Sequence, residues 1–73
     1  MHIEFSRHAK RRMNLYKISE EVIITMVKDL KIEGKYERMN KVTGFEHPIK
    51  VVCEVKKDLI TIITAYPLKR GLK

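Results

Sequence analysis

The spacing of hydrophobic residues predicts two helices in the N-terminal half of the chain. Ala9, Met13 and Tyr16 recur at i, i+4 and i+7, which is the spacing of one helical face. This pattern predicts a first helix over about residues 7–16. A second stripe of Val, Ile, Met and Leu has the same period and follows a serine cap and two glutamates, so it predicts a helix over about residues 20–30.

The apolar positions of the C-terminal half follow the period of two that is typical of strands. Alternation and β-branched content predict strands over about residues 35–42, 49–56 and 59–66. The N-terminal segment MHIEF alternates in the same way and is consistent with a brief edge strand. The elements together predict one α+β domain over residues 1–73, in which two N-terminal helices pack on a three- to four-stranded antiparallel sheet.

The register of the last two strands determines which side chains face the helices. If Lys57 and Asp58 form a two-residue turn, antiparallel pairing places Ile49 opposite Tyr66. One face of this hairpin then carries Ile49, Val51, Cys53, Val55, Ile60, Ile62, Thr64 and Tyr66. We expect the helices to cover that face, whereas a one-residue change in the loop would turn Tyr66 to the other side.

Positive charge is concentrated at the two ends of the chain. Residues 1–17 carry five Lys or Arg against one Glu, and the tail over residues 67–73 carries three without a carboxylate. Between them the charges balance, so the net charge of +7 belongs to the first helix and the tail. Clustered cations release counterions from phosphates, which favours RNA over membrane headgroups as a partner. The expected phosphate contacts are Arg7, Lys10, Arg11, Lys69 and Arg70.

Other chemistries have less support in the sequence. Cys53 has no second cysteine to pair with, and its apolar surroundings predict a buried hydrophobe. The three histidines are too widely spaced for a zinc-type ligand pair, so we expect no metal and no cofactor. No apolar run approaches the roughly 18 residues of a membrane span, and nothing resembles a signal peptide. We therefore expect a cytoplasmic protein.

The segment SRHAKRRM combines one histidine with four cations. On a helix that begins near Arg7, the side chains of His8, Arg11 and Arg12 are predicted to project along one side. Metal-free RNA cleavage needs a base for the 2′-hydroxyl, an acid for the departing 5′-oxygen and cations for the phosphorane. Histidine and arginine suit these tasks. The alternative is a solvated cationic face on which His8 only hydrogen-bonds a neighbour.

The order of motifs resembles a widespread family of small bacterial and archaeal proteins of unknown function. The resemblance rests on FSRHAKRRM, ISEEVI and ITIITAY, and it extends from about Phe5 to Tyr66. That family is similar to the barnase, EndoU, colicin and RelE group of metal-independent ribonucleases, many of which are toxins of toxin–antitoxin pairs. The resemblance implies a RelE/barnase-like fold, RNA as the substrate and an acidic antitoxin as a partner.

The same resemblance implies a role for individual residues. His8 would be the acid-base group, with Arg11 and Arg12 as a phosphate clamp. The strand-end motif falls on Thr64 and Tyr66, and the Tyr66 hydroxyl would position substrate or share proton transfer. We therefore expect a metal-independent endoribonuclease that acts as a toxin. A non-enzymatic basic RNA-binding or protein-interaction module is the alternative, and both a monomer and a homodimer fit the sequence.

Overall fold

The computed structural model describes residues 2–68 as a four-stranded sheet with two helices packed on it. In chain order the elements are β1 (His2–Phe5), α1 (Arg7–Tyr16), α2 (Glu20–Val27), β2 (Gly34–Asn40), β3 (Ile49–Lys56) and β4 (Leu59–Pro67). The prediction of an α+β fold with two N-terminal helices is confirmed. Lys69 and Arg70, which we expected to contact phosphate, lie outside the described residues.

Three element boundaries differ from the prediction. α2 ends at Val27, because the chain leaves the helix in a turn in which the Leu30 N–H donates to the Val27 carbonyl. Leu30 is nevertheless buried, so the apolar stripe continues beyond the helix and made it look longer. β2 spans Gly34–Asn40, so it begins one residue earlier and ends two residues earlier than the predicted range of 35–42. Pro67 is the last residue of β4, although we expected it to be the first residue of the tail.

The sheet is mixed rather than purely antiparallel, which corrects the prediction. Its strand order is β1-β4-β3-β2, and β1 runs parallel to β4. No turn joins these two strands, so local sequence contains no signal for their relative direction. Ile3 and Phe5 pair with Ile60 and Ile62, and all four side chains lie on the face toward the core.

A β-bulge interrupts the pairing of β3 with β4. Near the turn the register is the predicted one, with Cys53 opposite Ile62. The next pair joins Val52 to Thr64, so Ile63 is an extra residue without a partner in β3. An extra residue in a structure of period two reverses the facing of every side chain that follows it.

The bulge decides the facing of the strand-end motif, which the sequence left open. Beyond it, Ala65 takes the buried position, while Thr64 and Tyr66 belong to the opposite, outer face of the sheet. Tyr66 is opposite Lys50 in β3, and Ile49 is opposite Pro67 instead of Tyr66. The pairing of Ile49 with Tyr66 that a two-residue turn predicts is therefore wrong, and the side chain of Tyr66, whose direction the sequence left open, lies on the outer face.

The core lies between the helices and the inner face of the sheet. Its buried members are Ala9, Met13, Ile18, Ile23, Met26, Val27, Leu30, Ile49, Val51, Cys53, Val55, Ile60, Ile62 and Ala65. Cys53 is fully buried, as predicted, and this burial raises the pKa of its thiol. The thiol therefore stays protonated and acts as a small hydrophobe.

Lys17→Gly is expected to stabilise the fold. Lys17 follows α1 with φ 58° and ψ 45°, the left-handed conformation that costs a side chain more than it costs glycine. We expect a gain of about 0.5–1 kcal/mol, seen as a higher midpoint in thermal unfolding. Lys28→Gly is the matched control, because Lys28 caps α2 in a right-handed conformation and its replacement should lower the midpoint. Equal shifts for both variants would contradict the argument.

Candidate nucleic-acid interface

Ser6 attaches the first turn of α1 to the bulge in β4. Its N–H donates to the Ile62 carbonyl at 2.9 Å, and its hydroxyl donates to the Ile63 carbonyl at 2.9 Å. The same hydroxyl oxygen accepts the Ala9 N–H at 3.0 Å, which makes Ser6 the N-cap of α1. Both carbonyls that position the helix therefore come from the bulged segment, so the cations of α1 are held at a defined place beside β4.

Ser6→Ala is expected to destabilise the protein by about 1–2 kcal/mol, because it removes the cap and leaves the Ile63 carbonyl without this donor. Urea unfolding measures the loss. Ser19→Ala is the matched control, since Ser19 caps α2 through one exposed hydrogen bond of 3.3 Å from the Val22 N–H. The Ser6 variant should lose more, and equal losses would show that the link to Ile63 contributes nothing.

A cationic groove lies between one flank of α1 and the start of α2. Arg7, Lys10, Arg11 and Asn14 line it from α1, and it encloses about 570 Å³. The first three bring three positive charges, whereas Glu20 brings one negative charge. Asn14 was not singled out from the sequence, although its position seven residues after Arg7 places it on the same helical face.

His8 and Arg12 do not line this groove, whereas Arg11 does. Successive helical residues are about 100° apart, so Arg11 points toward the groove while Arg12 is turned toward the packed side. His8 is exposed and Arg12 is half-buried. α1 places Arg11 and Arg12 three and four residues after His8, the spacing of neighbouring side chains on a helix, and Arg11 also lines the groove.

Part of β4, the strand on which α1 chiefly packs, has no strand partner on one side among the described residues. Because β1 pairs with β4 only as far as Ile62, residues 63–67 of β4 have no strand partner on that side within the described chain.

The charges of α1 oppose the helix dipole. Its first turn contains Arg7, His8 and Lys10 and no carboxylate, and its last turn contains no cation. The dipole favours the reverse arrangement by about 0.3–1 kcal/mol per charge. α2 follows that preference with Glu20 and Glu21 in its first turn. Residues that break a local stability rule are the ones expected to serve a function, and helix N-termini with added cations are the kind of surface to which anions bind in proteins.

No described carboxylate forms an ion pair with Arg7, Lys10 or Arg11. The ion pairs within residues 2–68 join Arg38 to Asp29 at 3.2 Å and Lys50 to Glu37 at 3.1 Å, both away from α1. The exposed side chains of Arg7, Lys10 and Arg11 are therefore available to an external anion. Such a surface provides charge and hydrogen-bond donors for a phosphate backbone.

Tyr66 lies in a separate cluster on the outer face of the sheet. It neighbours Lys50, whose pKa is raised by the hydrogen bond to Glu37 and by Tyr66. Lys50 thus stays a cation beside the Tyr66 hydroxyl, a combination that strand alternation alone does not reveal. Since the helices cover the inner face, the structure does not place Tyr66 or Thr64 in one cluster with His8.

Residues 2–68 contain neither a metal-binding cluster nor a helix that could span a membrane. No group of three or more His, Cys, Asp or Glu side chains among residues 2–68 is arranged to hold a metal ion. No helix in the same range is long and apolar enough to cross a membrane.

Comparison with known proteins identifies a family over most of the chain. The family model described as "Domain of unknown function (DUF4258)" matches residues 5–67. No curated protein and no solved structure matches the chain. The matched range begins just before the N-cap of α1 and ends with β4, so it contains both the cationic helix and the strand to which that helix is bound.

Proposed function

The chain belongs to the DUF4258 family of domains of unknown function, and we propose that it is a metal-independent endoribonuclease, the toxin of a toxin–antitoxin pair. The observation that carries the proposal is the charge pattern of α1. Cations occupy the helix end where the dipole disfavours them, and the described carboxylates do not pair with them. RNA phosphates would offset the unfavourable interaction of these cations with the dipole and would also pair with the cations.

His8 is the acid-base group of the proposed reaction. It is exposed in the first turn of α1, with Arg12 one helical turn further on the same flank. His8 would take the proton from the 2′-hydroxyl, and the resulting imidazolium would return a proton to the leaving 5′-oxygen. Arg12 would hold the charge that develops on the phosphorane, while the groove binds a neighbouring phosphate through Arg7, Lys10 and Arg11.

Tyr66 has a positioning role in this proposal. RNA that crosses the free edge of β4 would meet His8 on the helix side and Tyr66 on the outer face. Thr64 is on the same outer face, and Lys50 offers a cation beside the Tyr66 hydroxyl. These residues would orient the RNA strand, whereas proton transfer would be carried out by His8.

The proposed function also implies a fold family, a protein partner and a place of action. We propose that the two helices and the strands β2–β4 correspond to a RelE/barnase-like arrangement. An acidic antitoxin segment would neutralise the protein by occupying the cationic groove, whose charge it complements. The place of action would be the cytoplasm, where RNA is available.

A cleavage assay in EDTA tests the proposal. Purified protein is incubated with a structured RNA, and the products are separated on a denaturing gel. Metal-free attack by the 2′-hydroxyl should leave 2′,3′-cyclic phosphate ends, which end-group analysis identifies. Intact RNA in EDTA over a series of RNA sequences, together with intact messenger RNA in a separate assay with ribosomes in magnesium buffer, would contradict the nuclease.

The second candidate is a non-enzymatic RNA-binding module. It is favoured by the separation of Tyr66 from His8, which leaves one acid-base side chain beside the described cations of α1. In that case the cations position phosphates without chemistry. Salt-dependent RNA binding without cleavage would support this candidate.

A further inference from the structure

β2 leaves one edge of the sheet open. It is the terminal strand of the order β1-β4-β3-β2, and no described segment pairs with its outer side. The strand has seven residues, pairs with β3 in a continuous register and contains neither a bulge nor a proline. Open edges of this kind are templates for a further strand, and proteins usually blunt them with bulges, prolines or charged side chains. β2 has only the charged side chains, and these are of both signs. The other edge strand, β1, has four residues and is a much shorter template.

Charged residues on β2 select how a second copy could pair with it. Lys35, Glu37 and Met39 alternate along the outer face, whereas Tyr36 and Arg38 are on the inner face. Two antiparallel copies related by a two-fold axis normal to the sheet must place one residue opposite itself. With Tyr36 at the axis, Lys35 of each copy is opposite Glu37 of the other.

Neighbouring registers are electrostatically worse. An axis at Glu37 places the two Glu37 carboxylates opposite each other, and an axis at Lys35 does the same with the ammonium groups. An axis at Arg38 places Lys35 opposite Lys41 of the other copy. Directly opposed like charges destabilise a sheet and opposite charges stabilise it. An axis at Gly34 or Met39 also opposes unlike charges, but it pairs at most three residues of β2, whereas an axis at Tyr36 pairs five, so overlap and charge together favour the register at Tyr36.

We propose that two copies of this chain form a homodimer through β2, with the two-fold axis at Tyr36. The edges of both β2 strands supply the backbone hydrogen bonds, and the two four-stranded sheets become continuous. Two Lys35–Glu37 pairs lie on the outer face, where both side chains are exposed in the single chain. The two Tyr36 rings pair across the axis on the inner face. This inference does not depend on the proposed nuclease activity.

The test uses two charge-reversal variants, Lys35→Glu and Glu37→Lys. Sedimentation velocity of the full chain, purified free of nucleic acid, should show a dimer whose fraction rises with concentration. Each variant alone opposes like charges at both pairs, so the dimer dissociation constant should rise at least about tenfold. When the two variants are mixed, every pair is again opposite in sign, so a heterodimer should form with about the affinity of the wild type.

Mixing separates the interface from effects on folding. Either substitution disturbs its own chain, since Lys35 is opposite Glu54 in β3 and Glu37 pairs with Lys50. That disturbance is the same before and after mixing. Both variants remain cationic overall, with net charges of +5 and +9 after a change of two from +7, so general attraction does not explain association.

Charge reversals outside β2 provide the control for this experiment. Lys28→Glu and Glu46→Lys change the same charges at exposed positions outside β2 and should dimerise as the wild type does, alone or mixed. A wild type that stays monomeric into the millimolar range would overturn the proposal. A mixture of Lys35→Glu and Glu37→Lys that sediments as the sum of its components would also overturn it.

Discussion

His8→Ala is expected to lower the rate of RNA cleavage by at least about a hundredfold, the lower bound for losing a general acid-base group. The expected loss is this large because His8 is the histidine placed beside the cations of α1. The measurement is the initial rate of product formation on a denaturing gel in EDTA, with protein and RNA concentrations held equal between variants. RNA affinity should change little, since the arginines and lysines remain.

The unfolding midpoint distinguishes a chemical role for His8 from a structural one. The side chain is exposed, so its removal should leave thermal stability nearly unchanged. His2→Ala is the matched control, because His2 is also exposed but lies on the outer side of β1. A His8 variant that cleaves as fast as the wild type would eliminate the proposed mechanism. Equal losses in the two variants would assign the effect to something other than position on α1.

Neutralising the groove with Arg7→Gln, Lys10→Gln and Arg11→Gln together is expected to weaken RNA binding about a hundredfold at about 0.1 M salt. Each phosphate contact contributes about 0.7 to the slope of log affinity against log salt for single strands, so three contacts should reduce its magnitude by about 2. Fluorescence anisotropy with a labelled RNA over a salt series measures both quantities. This loss is expected whether or not the protein cleaves RNA.

A control with the same change of charge tests whether position matters. Lys28→Gln, Lys31→Gln and Lys56→Gln remove three exposed cations that lie outside α1. Their removal should alter the affinity and the salt slope much less, because general attraction falls off with distance in salt. Equal effects of the two triple variants would mean that RNA responds only to net charge, and the groove would then have no special role.

The two helix starts could be read from the sequence because their causes are local. Ser6 and Ser19 are N-caps followed by apolar stripes, and each accepts an N–H from the residue three positions later. The end of α2 was predicted less accurately, because the helix ends at Val27 and not near residue 30. Leu30 is buried from a turn, and burial continues an apolar pattern whether or not the backbone is helical.

The candidate site was predictable in composition but not in arrangement. Counting charges located the cations on α1, since helical propensity and net charge are properties of the segment itself. Which of them act together depends on the side of α1 that packs on β4. In the folded chain Arg11 lines the groove and Arg12 is half-buried, although both are cations of the same predicted helix face.

What the sequence by itself determined is therefore the class of each segment: two capped helices, an alternating hairpin and a cationic first helix. Only the tertiary structure decided the parallel direction of β1 and the facing of Tyr66. Both depend on contacts between the ends of the chain, because Ser6 binds the carbonyl of the bulge residue Ile63, 57 positions away. One extra residue in a strand of period two reverses all that follows, and a periodic pattern does not indicate where it is inserted.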